Sequence, residues 1–198
     1  WRKPVLFCLT SGLACAAVGW ILASIGARTW EGWLFSSLLV AEVSLIVFQP
    51  WRGRESHFNR TTLQDELIFA AMCLLILAIS LLVAFWTVRA FRRLAGSSSG
   101  QPLLIRHSIL AALLLLNLGN LAGYGIVRWG DSVRFSNPTA IPSRMGEAGD
   151  LKLPHAIFLH GLQAIPLLGW YLSRKSSTPG AGLRRLYFGI AGYLGLAS

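Results

Sequence analysis

Acidic residues are scarce in this chain: 8 among 198, against 18 Lys and Arg, and charged residues of every kind make up only 13%. So few charges exclude an ordinary soluble domain, in which about a quarter of residues are charged. Cysteine is nearly absent too. Cys8, Cys15 and Cys73 lie within apolar runs, with neither a CxxC pair nor a zinc-ribbon spacing. They read as small buried packing residues rather than as a disulfide framework or thiolate metal site. No P-loop, dinucleotide fingerprint, Ser-His-Asp order or nucleic-acid reader occurs. No long internal repeat is found.

What the chain does have is apolar length. Hydrophobic residues are 54% of the total, and several windows approach the 20 or so apolar residues that cross about 30 Å of hydrocarbon. The expected fold is all-α: a polytopic transmembrane helix bundle of about six spans, forming a single domain over 1–198. The spans are expected near 4–27, 33–49, 66–88, 105–127, 151–173 and 186–198, the last too short to cross. The first window is too long for a signal peptide and lacks a cleavage site.

The net charge of +10 does not point to nucleic acid, because Lys and Arg cluster between the apolar windows instead of along one soluble face. They read as topology signals. Side A is taken as the side of the N-terminus and the 50–65 and 129–150 loops; side B holds the others. Basic residues divide equally between the sides, but the short side B loops around Arg89, Arg92, Arg93, Arg106, Arg174, Lys175, Arg184 and Arg185 contain no acid. That favours side B as cytoplasmic and side A as periplasmic. GSSSGQP at 96–102 and SSTPGAG at 176–182 read as flexible polar joints. Trp30, Trp33, Trp51, Trp86, Trp129 and Trp170 fall near helix ends, where the headgroup layer suits an indole. Gly12 with Ala16, and Gly119 with Gly123, offer faces for close helix approach.

The informative pattern is one of depth. Glu42 lies eight residues before Pro50, Asn120 eight before Arg128, and His160 eight after Lys152, about 12 Å of helical rise each. Asn117 and Gln163 lie one turn deeper than Asn120 and His160, on the same faces. A carboxyl near the bilayer centre costs at least about 2.5–3.5 kcal/mol, so Glu42 should turn inward and find a partner. His160, Asn117 and Asn120 are the candidates. A catalytic set of Glu42, His160, Asn120, Asn117 and Gln163 is therefore expected between helices 2, 4 and 5. Hydrogen-bonded helix glue is the plainer reading of the same residues.

Around the side A mouth, His57, His155, His160 and Asp150 supply nitrogen and oxygen donors for a divalent metal such as zinc. His155 and His160, five apart, lie about 140° apart around a helix and are not an i, i+4 pair. Asp150 also suits a helix N-cap, and Pro166 should bend helix 5 beside the polar residues. Arg52, Ser56 and Asn59 are candidates for contact with substrate or lipid headgroup. His57 and Asp65 also approach this mouth, whereas His107 belongs to side B.

WRGRESHFNRTT after a Glu-bearing helix, followed by GDLKLPHAIFLHGLQ, resembles a family of uncharacterised bacterial integral membrane proteins; the resemblance spans helix 2 to helix 5 and implies a bacterial inner-membrane location. A looser resemblance is to membrane hydrolases of the adiponectin-receptor and alkaline-ceramidase kind, which hold zinc with three histidines beside an Asp and a Ser. Those enzymes carry seven spans and an HxxxH pair, where this chain has His155-x4-His160.

The resulting expectation is an intramembrane enzyme acting on a lipid-like or other hydrophobic small molecule, metal-assisted or using Glu42 and His160 as acid and base. The alternative is a non-catalytic membrane subunit that binds a quinone, lipid or haem, or an assembly partner in a membrane complex or homo-oligomer. A proton-relaying transporter is a third class.

Overall fold

In a computed structural model, residues 2–94, 102–137, 140–145, 149–176 and 178–197 are described. Among them the chain is all-α, with six helices and no strand: α1 Arg2–Ser24, α2 Thr29–Trp51, α3 Leu63–Leu94, α4 Leu103–Ser136, α5 Lys152–Lys175 and α6 Pro179–Leu194, the last followed by a 3-10 turn at Gly195–Ala197. The first five are long and apolar enough to cross a membrane. The protein is thus a multi-span membrane helix protein. The expected sixth span is a 16-residue helix, about 24 Å long, that starts seven residues earlier than the sequence suggested.

Helix ends depart from the expected spans where local chemistry decides them. α1 stops at Ser24 rather than running to Ala27, because Gly26 takes φ 58° and closes a Schellman motif. The N–H of Ala27 reaches the Leu22 carbonyl at 2.9 Å, and that of Gly26 reaches the Ala23 carbonyl at 3.2 Å. α2 opens with Glu31 accepting the Arg28 backbone N–H at 2.8 Å. Part of the joint expected at 176–182 is helix instead: Thr178 caps α6, its hydroxyl accepting from Ala181 N–H at 3.4 Å, and Pro179 takes the first helical position. α4 continues to Ser136, through the first part of the segment expected to be a loop, since no proline interrupts it. Residues 96–101 of the other joint lie outside the described residues.

By packing, the chain divides into two compact units, 1–82 and 83–198, and the division falls within α3. In the N-terminal unit, α1 and α2 form a hairpin. The buried face of α2 carries Glu31, Phe35, Glu42, Ile46 and Gln49, a spacing that keeps all five on one side of a helix. Three of the five are polar: Glu31 accepts the Arg28 backbone N–H, Gln49 bonds Asp65 and Arg52 at the other end, and Glu42 lies mid-helix.

In the C-terminal unit, α4 and α5 lie antiparallel in close contact. An added Cβ at Gly123 would meet His155, at Gly119 Leu159, at Gly161 Leu115 and at Gly169 Ser108. Each pair of residue numbers adds to nearly the same value, as an antiparallel zipper in constant register requires. The Gly119–Gly123 face is therefore a packing face as expected. The Gly12–Ala16 face is not: both residues are exposed, and nothing lies within 4 Å of a Cβ built on Gly12. Leu104, Ala112, Leu115, Ile165, Leu172 and Leu186 form the apolar core of this unit, so α6 joins α4 and α5 through Leu186. Trp86 is a core residue, fully buried, and not the headgroup anchor expected; the other five tryptophans of that group are exposed.

Candidate functional site

The side A end of the N-terminal unit is built around Asp65. Its side chain is fully shielded from solvent and accepts from the hydroxyls of Thr61 (2.9 Å) and Thr62 (2.7 Å), from Gln49 Nε2 (3.4 Å) and from Arg52 Nη1 (3.1 Å). The Thr62 hydroxyl in turn accepts the Asp65 backbone N–H at 3.2 Å, which caps α3. Arg52 also donates to Gln49 Oε1 and to Gln64 Oε1, both at 3.0 Å. This knot ties the end of α2 to the start of α3. Sequence reasoning missed it, although Thr62-x-x-Asp65 before an apolar run is a capping-box signal. It also removes Arg52 from the expected headgroup set: its guanidinium is committed to Asp65 and stacks over the Phe48 ring at 5.4 Å.

Ser56 and Asn59, the other two headgroup candidates, are buried. Lys3 Nζ, from the first turn of α1, donates to Ser56 Oγ in a short hydrogen bond and lies 3.1 Å from His57 Nδ1, while Ser56 Oγ is 3.1 Å from that nitrogen. Lys3 also lies over the Phe7 ring, and Phe7 stands against His57. Between His57 and Asn59, Phe58 holds φ 59°, a left-handed conformation that costs a non-glycine residue about 1–2 kcal/mol. Asn59 Oδ1 accepts the Thr61 backbone N–H at 3.3 Å and lies 2.9 Å from the Thr61 hydroxyl, whose single proton goes to Asp65; among the described residues Asn59 Nδ2 is buried without a partner. A cleft of about 620 Å³ runs along α1 and α2, lined by Cys8, Cys15, Val40, Val47, Phe48 and Trp51 among others; Glu42 is not among its walls.

Burial, with the Lys3 charge second, pushes His57 down to about 3. The folded loop thus holds a neutral ring, whereas the unfolded chain protonates near pH 6.5. Below that pH the unfolded state binds the proton that the folded loop refuses. The stability His57 contributes is full above about 6.5 and falls as the pH drops toward 3. Hydrogen exchange of residues 52–62 should therefore speed up through that window, and His57→Asn should flatten the dependence.

Glu42 is buried, as expected, and its Oε2 has no hydrogen-bond partner. In the C-terminal unit, Asn120 Nδ2 and Gln163 Oε1 are likewise buried and unpartnered. Asn117 is satisfied: its Nδ2 donates to Thr87 Oγ1 (2.8 Å) and to the Leu113 carbonyl (2.7 Å). This joins α4 to α3 as helix glue. His160 is exposed, and this corrects the inward placement expected of it. The buried face of α5 is Gly161, Leu162, Ile165, Pro166, Gly169 and Leu172, and two residues back from Leu162 is about 200° around the helix.

The expected metal ligands do not assemble. Among the described residues no three of His, Cys, Asp and Glu gather as a metal requires, so a zinc reading gains no support. His155 packs on Gly123 and places Nδ1 2.8 Å from the Gly119 carbonyl, which fixes the ring in the α4–α5 seam. Asp150 is exposed and accepts the Lys152 backbone N–H at 2.9 Å; that bond, with nearby positive charge, holds its carboxyl below the usual range. His107 Nδ1 is 2.6 Å from the Tyr187 hydroxyl, linking α4 to α6. Pro166 is buried within a helix that continues to Lys175. No protein-family model, curated protein or solved structure matches the chain.

Proposed function

We propose that the chain is an integral membrane enzyme acting on a lipid-like or other hydrophobic small molecule, whose polar group is met by unsatisfied side chains inside the spans. One observation supports this reading above the others. Glu42 and Asn120, expected from sequence at one depth, and Gln163, expected one turn deeper, each bury a polar atom that has no hydrogen-bond partner among the described residues. Natural proteins rarely leave such atoms unpaired, because each costs about 1–3 kcal/mol. A ligand's polar group is a partner that would justify keeping them. In the N-terminal unit Glu42 supplies a titratable carboxyl suited to proton transfer; in the C-terminal unit Asn120 and Gln163 supply an amide donor and an amide acceptor suited to orienting a carbonyl or hydroxyl. The resemblance and the acid-free side B loops favour a bacterial inner membrane with side A periplasmic.

Glu42→Gln tests the reading because it keeps shape and hydrogen bonding but cannot exchange a proton. The variant is expected to purify normally and to carry, in organic extracts analysed by mass spectrometry, an untransformed molecule in place of the one wild type carries. Extracts of both proteins that hold no such molecule, with an altered melting temperature in the variant, would make Glu42 a packing residue. A second reading, a non-catalytic subunit that holds a quinone or lipid, draws on the same unpartnered atoms and is favoured by the exposure of His160. Its signature is the same molecule, unchanged, in both proteins.

A further inference from the structure

We infer that the side B end of the C-terminal unit is an interaction surface for anionic phospholipid headgroups, with the Arg106 guanidinium as its fixed contact. The inference lies outside the proposed reaction and needs no part of it. Every residue it uses belongs to the C-terminal unit, at the end where the sequence places no acid.

Charge is sorted along this unit. From Val83 to Ser198 the acids are Asp131, Glu147 and Asp150 alone, all in the 129–150 segment on side A. Cations gather at the other end: Arg92 and Arg93 close α3, Arg174 and Lys175 close α5, and Arg184 and Arg185 lie early in α6. All six are exposed. Direct contacts hold the ends of α4, α5 and α6 together. Gly169 of α5 faces Ser108 and the Leu104 carbonyl of α4, Gly182 of α6 faces Leu104, and His107 Nδ1 is 2.6 Å from the Tyr187 hydroxyl. Arg106 stands one residue from that last contact, and Arg184 stands one turn from it on the Tyr187 face of α6.

Helix electrostatics separates the cations that need no ligand from the one that does. Arg92, Arg93, Arg174 and Lys175 occupy last turns, where the negative end of the helix dipole favours them. Arg106 is in the first turn of α4, beside the positive end; that turn holds no acid, and Asp131 on the same helix is about 37 Å further along. Its Nε is also buried without a hydrogen-bond partner among the described residues. A desolvated guanidinium nitrogen lacking an acceptor is costly, and a phosphate oxygen both accepts its proton and offsets its charge. The level is that of lipid phosphate. The cations of α3, α4 and α5 lie within a turn of the ends of membrane-length helices. Exposed aromatic rings stand among them: Trp170, which carries the Arg174 guanidinium over its ring at 4.5 Å, and Tyr187 with Phe188. Indole and phenol rings favour the headgroup layer, and a guanidinium stacked on a ring keeps its N–H edge available to phosphate.

The test uses the full chain in detergent with native mass spectrometry, offering phosphatidylglycerol and phosphatidylcholine of identical chains. Phosphatidylglycerol should be retained preferentially, and Arg106→Gln should weaken that retention about tenfold. The double variant Arg184→Gln/Arg185→Gln alters exposed side chains alone and should weaken it as well while staying monodisperse, so the surface is tested even where Arg106→Gln fails to fold. Arg128→Gln, at an exposed side chain toward side A, should leave retention unchanged. Equal retention of both lipids, retention unmoved by the side B substitutions, or an equal loss in Arg128→Gln overturns the inference. Displacement of the lipid by inorganic phosphate overturns it too, by making a soluble anion the partner. Glu42→Gln should retain phosphatidylglycerol as wild type does, so failure of the proposed reaction and failure of this surface are read from different variants.

Discussion

Gly169→Val is expected to be among the most damaging single substitutions in the C-terminal unit, with a loss of about 1–3 kcal/mol or more from overpacking. A Cβ at this position would stand 2.3 Å from Ser108 Oγ, 2.4 Å from Ser108 Cβ and 3.3 Å from the Leu104 carbonyl. Ser108 cannot swing away: it is fully buried and its hydroxyl is bonded to the Ile105 carbonyl at 2.9 Å. Relief therefore requires the α4 and α5 backbones to part. Parting them at one end strains the register along Gly161–Leu115, Gly119–Leu159 and Gly123–His155. Gly12→Ala is the matched control, since its new methyl meets nothing within 4 Å and alanine gains up to about 1 kcal/mol of helix propensity. Thermal denaturation in detergent should show a lower midpoint for Gly169→Val and an equal or higher one for Gly12→Ala. Equal midpoints for both variants would mean that the α4–α5 seam does not hold the unit together.

Asp65→Ala is the second large effect. It strips one acceptor from the Thr61 and Thr62 hydroxyls, Gln49 and Arg52 together. Arg52 is then left without its counter-charge, while the Thr62 hydroxyl can still cap α3 through the backbone N–H of residue 65. Removing one member of a shielded ion pair is worse than never having had it, because the other member stays desolvated. Hydrogen exchange over residues 52–62 should rise far more than in any other single variant of the loop. Asp65→Asn should fall between, since its amide preserves shape but not charge. Arg54→Ala, at an exposed side chain, should be silent. If Asp65→Ala leaves exchange unchanged, the loop is held by something other than this knot.

The five membrane-length helices were legible in the sequence because a long apolar run has few other stable forms in a bilayer. Their ends were less so. Gly26, the Thr178–Pro179 pair and the uninterrupted run through Gly130 are local signals weaker than the hydropathy that surrounds them. Counting depth put Glu42, Asn120 and His160 at one level with Gln163 a turn deeper, because rise along a helix depends only on residue number. It misplaced His160, because which way a residue faces depends on where its helix packs. Comparing His160 with the Leu162–Ile165–Gly169–Leu172 stripe would have shown that it lies on the opposite side of α5. Asn117 found its partner in Thr87, on a helix that the depth count had not included. Lys3 lay outside the reading altogether, since its meeting with Ser56 and His57 joins residues more than 50 apart.

An experimental density map of the full chain in a lipid nanodisc tests the central claim most directly, by what stands beside Glu42 Oε2, Asn120 Nδ2 and Gln163 Oε1. The proposed function calls for non-protein density, elongated as a lipid-like molecule would be, within hydrogen-bonding distance of Glu42 Oε2 in the N-terminal unit or of Asn120 Nδ2 and Gln163 Oε1 in the C-terminal unit. Density showing all three atoms paired with protein side chains, and nothing else beside them, would contradict it.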